Sequence, residues 1–158
     1  MARVRPHDQT GFDRAFRAIT DRQAGYAVVQ AYLPEANEGE KRLVWLDGRV
    51  LGGYLRRRAP GEFRHNLKRG GLAEPVTVSD EDLQVVEALN PPLLAAGIRL
   101  AGLDLIGGHL IEVNALNPGG TFHTDRLNGS HLADTVIAAL ERNAPIPKRS
   151  SQWALPVP

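Results

Sequence analysis

The sequence predicts an α+β domain, a mainly antiparallel sheet with flanking helices, and three observations lead there. Residues 41–46 (KRLVWL), the pair Asp47-Gly48 and residues 49–56 (RVLGGYLR) read as a β-hairpin, two runs of strand formers around a tight-turn dipeptide. Residues 102–117 (GLDLIGGHLIEVNALN) repeat the pattern around Gly107-Gly108-His109. Around these hairpins, apolar residues recur at helical spacing. Hairpins imply antiparallel pairing, which separates the pattern from a doubly wound α/β fold.

In chain order, a piece of strand is expected at residues 2–5. Phe12, Ala15, Phe16 and Ile19 share one helical face, so residues 11–22 form an amphipathic helix that Gly25 ends. Residues 26–33 (YAVVQAYL) are almost continuously apolar, as in a strand covered on both faces. Pro34 stops that strand, and a polar loop leads to the first hairpin. Residues 59–75 follow as a loop, long enough to be functional or disordered. Ser79-Asp80-Glu81-Asp82 starts a helix with acidic residues in its first turn, and Leu83, Val86 and Leu89 carry its apolar face. Pro91-Pro92 should kink or restart it before Gly97 ends it. After the second hairpin come a glycine-rich loop at 115–120 and a last helix over 131–142. The expected total is two hairpins and one further strand interleaved with three helices. Residues 1–143 make up the domain, and the proline-rich residues 144–158 make up a flexible tail.

Composition narrows the function. At 158 residues this is one domain, or a piece of something larger. The net charge of +1 gives no general attraction to nucleic acid or anionic membrane. With no cysteine there is no disulfide frame, thiolate nucleophile or cysteine zinc site. No apolar run is long enough to span a bilayer, and the first ten residues lack a signal peptide's apolar core, so a soluble cytoplasmic protein is expected.

Chemistry concentrates in the second hairpin. If its loop takes three residues, Ile106 pairs with Leu110 and Asp104 with Glu112. Asp104, Glu112 and Asn114 then share one face, and Leu103, Leu105, Ile111 and Val113 share the other. A two-residue loop would flip one strand and break this arrangement. Carboxylate and amide oxygens suit hard cations, above all Mg²⁺ when phosphates complete the shell. A solvated sheet face carries the same residues, and the spacing alone does not separate the two. Arg56, Arg57, Arg58, Arg64, Lys68 and Arg69 crowd a strand end and the loop after it, suited either to phosphate or carboxylate or to a solvated surface. Phe63 is that loop's only aromatic, thin for a nucleic-acid stacking platform. The five histidines show no zinc spacing, and His123 and His131 read as surface or supporting residues.

Together these stretches resemble the C-terminal part of the ATP-grasp ligases, and among them the bacterial glutathione synthetases. Residues 29–34 (VQAYLP) look like the hinge strand whose backbone contacts adenine. Gly39-Glu40-Lys41-Arg42, a strand, Asp47-Gly48 and a second strand look like the family's G-D/E-K-R hairpin. Arg56, then Arg64 with Asn66 and Gly70-Gly71, look like its substrate loop. Gly102-Leu103-Asp104 through Glu112-Val113-Asn114 look like its metal hairpin. The order holds over residues 2–140.

The resemblance implies that a carboxylate takes the γ-phosphoryl group of ATP and that an amine then displaces phosphate to form an amide. It implies two Mg²⁺ ions held by Asp104, Glu112 and Asn114, with Gln30, Ala31, Tyr32, Leu33 and Glu40 on the nucleotide. Arg42 and Arg56 would act as catalytic charge stabilisers, and Arg64 and Asn66 would bind a small peptide or amino-acid substrate. Such catalysis is mostly positioning and electrostatics, with no side-chain nucleophile. The family carries a glycine-rich loop and two lysines upstream of the stretch matched here. The expectation is therefore a truncated lobe, a fragment or half of a split enzyme, with little activity alone. The run Ala115-Leu116-Asn117-Pro118-Gly119-Gly120 departs from the family's hydroxyl residue before proline, which leaves the peptide substrate open. The alternatives are a non-catalytic remnant that binds a protein partner, the missing half or a second copy, and a ligase for another amino-acid acceptor. A nucleic-acid binder stands last.

Overall fold

A computed structural model describes residues 2–21 and 25–143. Two compact units follow one another along the chain, Met1–Tyr32 and Leu33–Pro158. In the first, helix α1 (Gln9–Thr20) starts where the Asp8 carboxylate accepts the Gly11 N–H at 2.8 Å. Phe12 and Phe16, one turn apart, stack with ring centroids separated by 5.9 Å. The helix expected over 11–22 thus begins two residues earlier, while Arg22 lies outside the described residues, as does the tail 144–158.

Neither early strand is present. Residues 2–5 and 26–33 take no strand conformation, and Tyr26 and Val28 are 82% and 86% exposed. Strand propensity expresses packing on a pleated surface rather than a backbone preference. Among the described residues no strand pairs with 26–33, so the expected doubly covered strand is corrected.

The second unit opens with a 3₁₀ turn, Pro34–Asn37, and builds a five-stranded antiparallel sheet. Its strands are β1 (Glu40–Leu46), β2 (Arg49–Arg57), β3 (Leu72–Pro75), β4 (Leu100–Ile106) and β5 (His109–Asn114), in the order β3-β2-β1-β4-β5. Asp47 and Gly48 both take positive φ (47° and 89°), as do Gly107 and Gly108 (53° and 72°). Both hairpins therefore turn on two residues in the mirror-image geometry that matches strand twist.

The second turn corrects the expected three-residue loop: Ile106 pairs with His109, and Leu105 with Leu110. The expected Asp104–Glu112 pair nevertheless forms, because the register shifts between Leu105 and Asp104 and leaves Ile111 as the extra residue of a bulge. Leu110, in place of Ile111, packs against the core. The first hairpin shifts at the equivalent step, from Trp45↔Val50 to Val44↔Gly52, with Leu51 as the extra residue.

Helix α2 (Asp80–Ala95) covers one face of the sheet. Its capping box is complete, with Ser79 and Asp82 each bonded to the other's backbone N–H. The helix does not restart at Pro91 and Pro92 but continues through both to Ala95. The carbonyls those prolines leave unpaired belong to Glu87 and Ala88, both exposed, where water can satisfy them. Val86 and Leu93 pack on Leu43, Trp45, Ala101, Leu103 and Leu105. Trp45 Nε1 donates to Asn90 Oδ1 at 2.8 Å, and Asn90 Nδ2 donates to the turn carbonyl of Gly48 at 3.0 Å.

On the other face, helix α4 (Leu132–Asn143) lays Val136 and Ala139 against Leu46. The preceding helix α3 (Thr121–Asn128) has no apolar periodicity, which is why the sequence did not reveal it. Its Asp125 caps α4, accepting Ser130 Oγ and the Leu132 N–H, each at 2.7 Å. The Leu132 bond in particular holds that carboxyl below the usual range. Strand β3, also unforeseen, is four residues long and ends in proline.

Candidate functional site

Strand parity sets one polar row across the sheet face opposite α2. Tyr54 on β2 stands opposite Arg42 on β1, Arg42 opposite Asp104 on β4, and Asp104 opposite Glu112 on β5. One row along, Arg56 faces Glu40, and on the other side lie Val44, Gly102 and Asn114.

Asp104, 1% exposed, is the hub. Arg42 grips it with two donors, Nε to Oδ1 and Nη2 to Oδ2 at 2.7 Å. Arg56 Nη2 also lies 2.7 Å from Oδ2 and pairs with Glu40. Arg42 Nη1 donates to the Gly119 carbonyl at 3.0 Å, tying the glycine-rich turn to the hub. Glycine at 102 makes this possible, since a Cβ there would sit 2.9 Å from Arg42 Nη1 and 3.1 Å from the Pro118 carbonyl. Burial works to lower the Arg42 pKa, but the hydrogen bond and charge of Asp104 outweigh it and the guanidinium is raised. Burial raises the Tyr54 phenol, with Arg42 partly opposing. Its ring centroid is 5.2 Å from that of His123.

The sequence-derived candidates divide. Arg42, Arg56, Glu40, Asp104, Glu112 and Asn114 come together on this face. Arg64 and Asn66 sit in the loop after β2, where Asn66 Oδ1 accepts the Lys68 N–H at 2.9 Å and caps a short 3₁₀ turn, Leu67–Arg69. Gln30, Ala31 and Tyr32 line an open cavity of about 730 Å³ inside the first unit, with Phe12, Phe16 and Ile19 on its apolar side. The Arg3 guanidinium lies 3.8 Å from the Tyr32 ring centroid. Leu33 is half-buried at the start of the second unit. Tyr54, His65 and the Gly119 carbonyl were not foreseen. Parity with Arg42 would have placed Tyr54, had the Leu51 bulge been legible.

Nε of Arg56, next to this row, and Nε of Arg64, in the loop after β2, are buried without a hydrogen-bond acceptor. Glu62 Oε2 stands 3.6 Å from Arg64 Nε, within ion-pair but not hydrogen-bond distance. A buried donor without an acceptor costs about 1–3 kcal/mol.

The acidic row also fits a hard cation. A carboxylate offers about four lone-pair directions, and Arg42 and Arg56 occupy three at Asp104. Glu112 is exposed and forms no ion pair among the described residues. The Asn114 amide, oriented by its neighbours, donates to Glu112 Oε1 at 3.2 Å and accepts from Arg42 Nη2 at 3.1 Å. Among the described residues no three acidic or histidine side chains cluster as a self-sufficient cage. Among the described residues, no helix is long and apolar enough to cross a membrane.

Residues 1–129 match the family described as prokaryotic glutathione synthetase, ATP-grasp domain. The chain is 41% identical over 133 residues to a glutathione synthetase of Synechococcus elongatus, covering 82% of this chain and 41% of that one. It is 38% identical over 134 residues to the glutathione synthetase of Synechocystis, covering 82% and 42%. It therefore spans about two fifths of the length of these curated relatives. In structure it is similar to a D-alanine–D-alanine ligase from Bacillus anthracis complexed with ATP, with a TM-score of 0.55 and 18% identity over 85% of this chain and 47% of that one. That likeness shows the ATP-grasp fold. With most of its length matched by the family model, the chain belongs to the prokaryotic glutathione synthetase ATP-grasp domain family.

Proposed function

We propose that this chain forms part of an ATP-dependent carboxylate–amine ligase of the glutathione synthetase kind, which activates an acid as its acyl phosphate and passes it to an amine. The observation that carries this reading is Arg56 Nε, buried without a hydrogen-bond acceptor beside the Arg42–Asp104–Glu112 row, with a second such donor, Arg64 Nε, in the loop after β2. Phosphate and carboxylate oxygens are the acceptors such donors take. In this reading Asp104, Glu112 and Asn114 hold two Mg²⁺ ions, which supply charge neutralisation at the phosphates. Arg56 faces the transferred phosphoryl group, and Arg42 fixes Asp104 while holding Gly119. Arg64 and Asn66 take the carboxylate of the acid, with γ-glutamylcysteine and glycine as the substrate pair. Gln30, Ala31, Tyr32, Leu33 and Glu40 take the nucleotide. The relatives are more than twice as long, so little turnover is expected from these 158 residues alone.

Equilibrium titration of the purified chain with ADP and Mg²⁺ tests the reading. Binding that weakens at least tenfold in Asp104→Asn supports it. No binding, or equal binding by the variant, removes it. A second reading, a partner-binding module, is favoured by the exposed Tyr26, Val28 and Val29. Light scattering that gives a clean monomer argues against self-association through them.

A further inference from the structure

His65 lies between the two substrate-loop candidates and is 6% exposed, unlike its neighbour Asn66, which faces solvent. Its Nε2 is 2.7 Å from the Ala36 carbonyl oxygen, and its Nδ1 is 3.3 Å from Glu40 Oε2. A carbonyl can only accept, so the proton of the neutral ring belongs on Nε2. Nδ1 can donate to Glu40 only when the ring is also protonated there, whereas Nε2–H donates to Ala36 in either form, so the bond to Ala36 is the anchor. The anchored loop is otherwise held by local bonds, Arg69 N–H to Asn66 O at 2.9 Å and Gly71 N–H to Asn66 O at 3.3 Å. Gly71 packs closely under it, since a Cβ there would lie 2.8 Å from the Arg57 carbonyl and 3.0 Å from that of Asn66. Immediately before the anchor stands Arg64, whose buried Nε makes no hydrogen bond and lies 3.6 Å from Glu62 Oε2.

We propose that His65 is a positioning residue: its Nε2–H···O=C bond to Ala36 pins the backbone between Arg64 and Asn66, and so aims the Arg64 guanidinium at the carboxylate of the acid substrate. The ring touches no substrate in this role. The choice of substrate rests on the function proposed above, whereas the anchoring of the loop does not. The anchor also sits 3.3 Å from Glu40, on the nucleotide side, but it is part of the backbone that carries Arg64, so its loss weakens the acid more than the nucleotide.

The test compares the full chain with His65→Leu, which keeps the volume and loses the donor, and with His65→Gln, which keeps a donor. Amide exchange over residues 62–71 is read by mass spectrometry without ligand, and affinities for γ-glutamylcysteine and for ADP with Mg²⁺ are measured by calorimetry. Expected for His65→Leu are faster exchange confined to 62–71, acid affinity lowered about three- to tenfold, the range one hydrogen bond controls, and a smaller loss of ADP affinity. His65→Gln restores both in part. Unchanged exchange in His65→Leu, an equal loss of ADP affinity, or a glutamine variant no better than leucine overturns the inference. If the unsubstituted chain binds neither ligand, the proposed function falls, and the exchange comparison alone decides the anchor.

Discussion

The two hairpins share a backbone device and differ in what they place on it. Each turns on two residues of positive φ, and each carries one extra residue at the third position after the turn, Leu51 in one and Ile111 in the other. Without the bulge, a two-residue turn would set Arg56 opposite Gly39 and Glu112 opposite Leu103, on the face that α2 covers. With it, Arg56 meets Glu40 and Glu112 meets Asp104. The first hairpin thereby delivers cations and the second carboxylates, and the β1–β4 pairing brings them into contact. A buried carboxylate like Asp104 is tolerable only because two guanidinium groups from the other hairpin reach it. The second hairpin contributes the acids, and the first makes their burial possible.

Shifting the register beyond the bulges tests this most severely. One alanine inserted after Leu51 would turn Arg56 and Tyr54 toward α2 in a strand flanked on both sides, and cooperative unfolding should be lost, a cost above about 4 kcal/mol. One alanine inserted after Ile111 does the same to Glu112 and Asn114, but β5 is an edge strand that can fray, so the chain should still fold and lose the Mg²⁺ binding proposed above. Circular dichroism melts compare them, and equal damage from both insertions would refute the asymmetry. Next in size is Asp104→Ala, which leaves Arg42 and Arg56 buried beside each other. A loss of about 3–5 kcal/mol in urea denaturation is expected. A loss under about 1 kcal/mol would mean that the two hairpins do not depend on this contact.

Adjacent residues of β1 send a cation to each face, and the second pair is weaker. Lys41 Nζ lies 2.5 Å from Asp82 Oδ2 at the start of α2. Burial pushes the Asp82 carboxyl up, but hydrogen bonds from Lys41 and Ser79 more than reverse this and leave it below the usual range. Its folded pKa is thus lower than its unfolded value of about 4. The pair therefore stabilises above that pH and ceases to do so as pH falls through the folded value. Asp82→Asn should cost about 1–2 kcal/mol at pH 7, shrinking toward zero in strong acid. A gap that stays constant with pH would show that packing, not charge, holds this end of α2.

The sequence revealed most where local chemistry decides the structure. Asp47-Gly48, the place though not the length of the second turn, and the Ser79 cap were legible because turn and cap residues act through their own φ angles and hydrogen bonds. The partners Asp104 and Glu112 were legible too, although by a route the structure replaces. Bulges carry no sequence mark when the extra residue is an ordinary leucine or isoleucine, and parity alone could not find them. The 26–33 stretch misled because apolar content encodes burial only when a partner strand exists. His65 was missed because a histidine's role depends on what faces it, here the Ala36 carbonyl and Glu40, distant in the chain.

The smallest test exchanges a turn residue between the hairpins. The first turn accepts a non-glycine residue at its first position, Asp47 at φ 47°, where Arg99 Nε also donates to its carboxylate at 2.8 Å. Gly107 occupies the equivalent position at φ 53°. A Cβ there would meet Glu35 Cγ at 2.7 Å, part of a side chain with freedom to move aside. Asparagine tolerates this backbone and lowers the entropy of the unfolded chain, a gain that the displaced Glu35 offsets. Gly107→Asn should therefore shift stability by no more than about 0.5 kcal/mol. Gly107→Val cannot adopt the angle without strain and should cost about 1–3 kcal/mol. If asparagine cost as much as valine, crowding by Glu35 rather than backbone geometry would govern the turn, and the likeness of the two hairpins would end at their bulges.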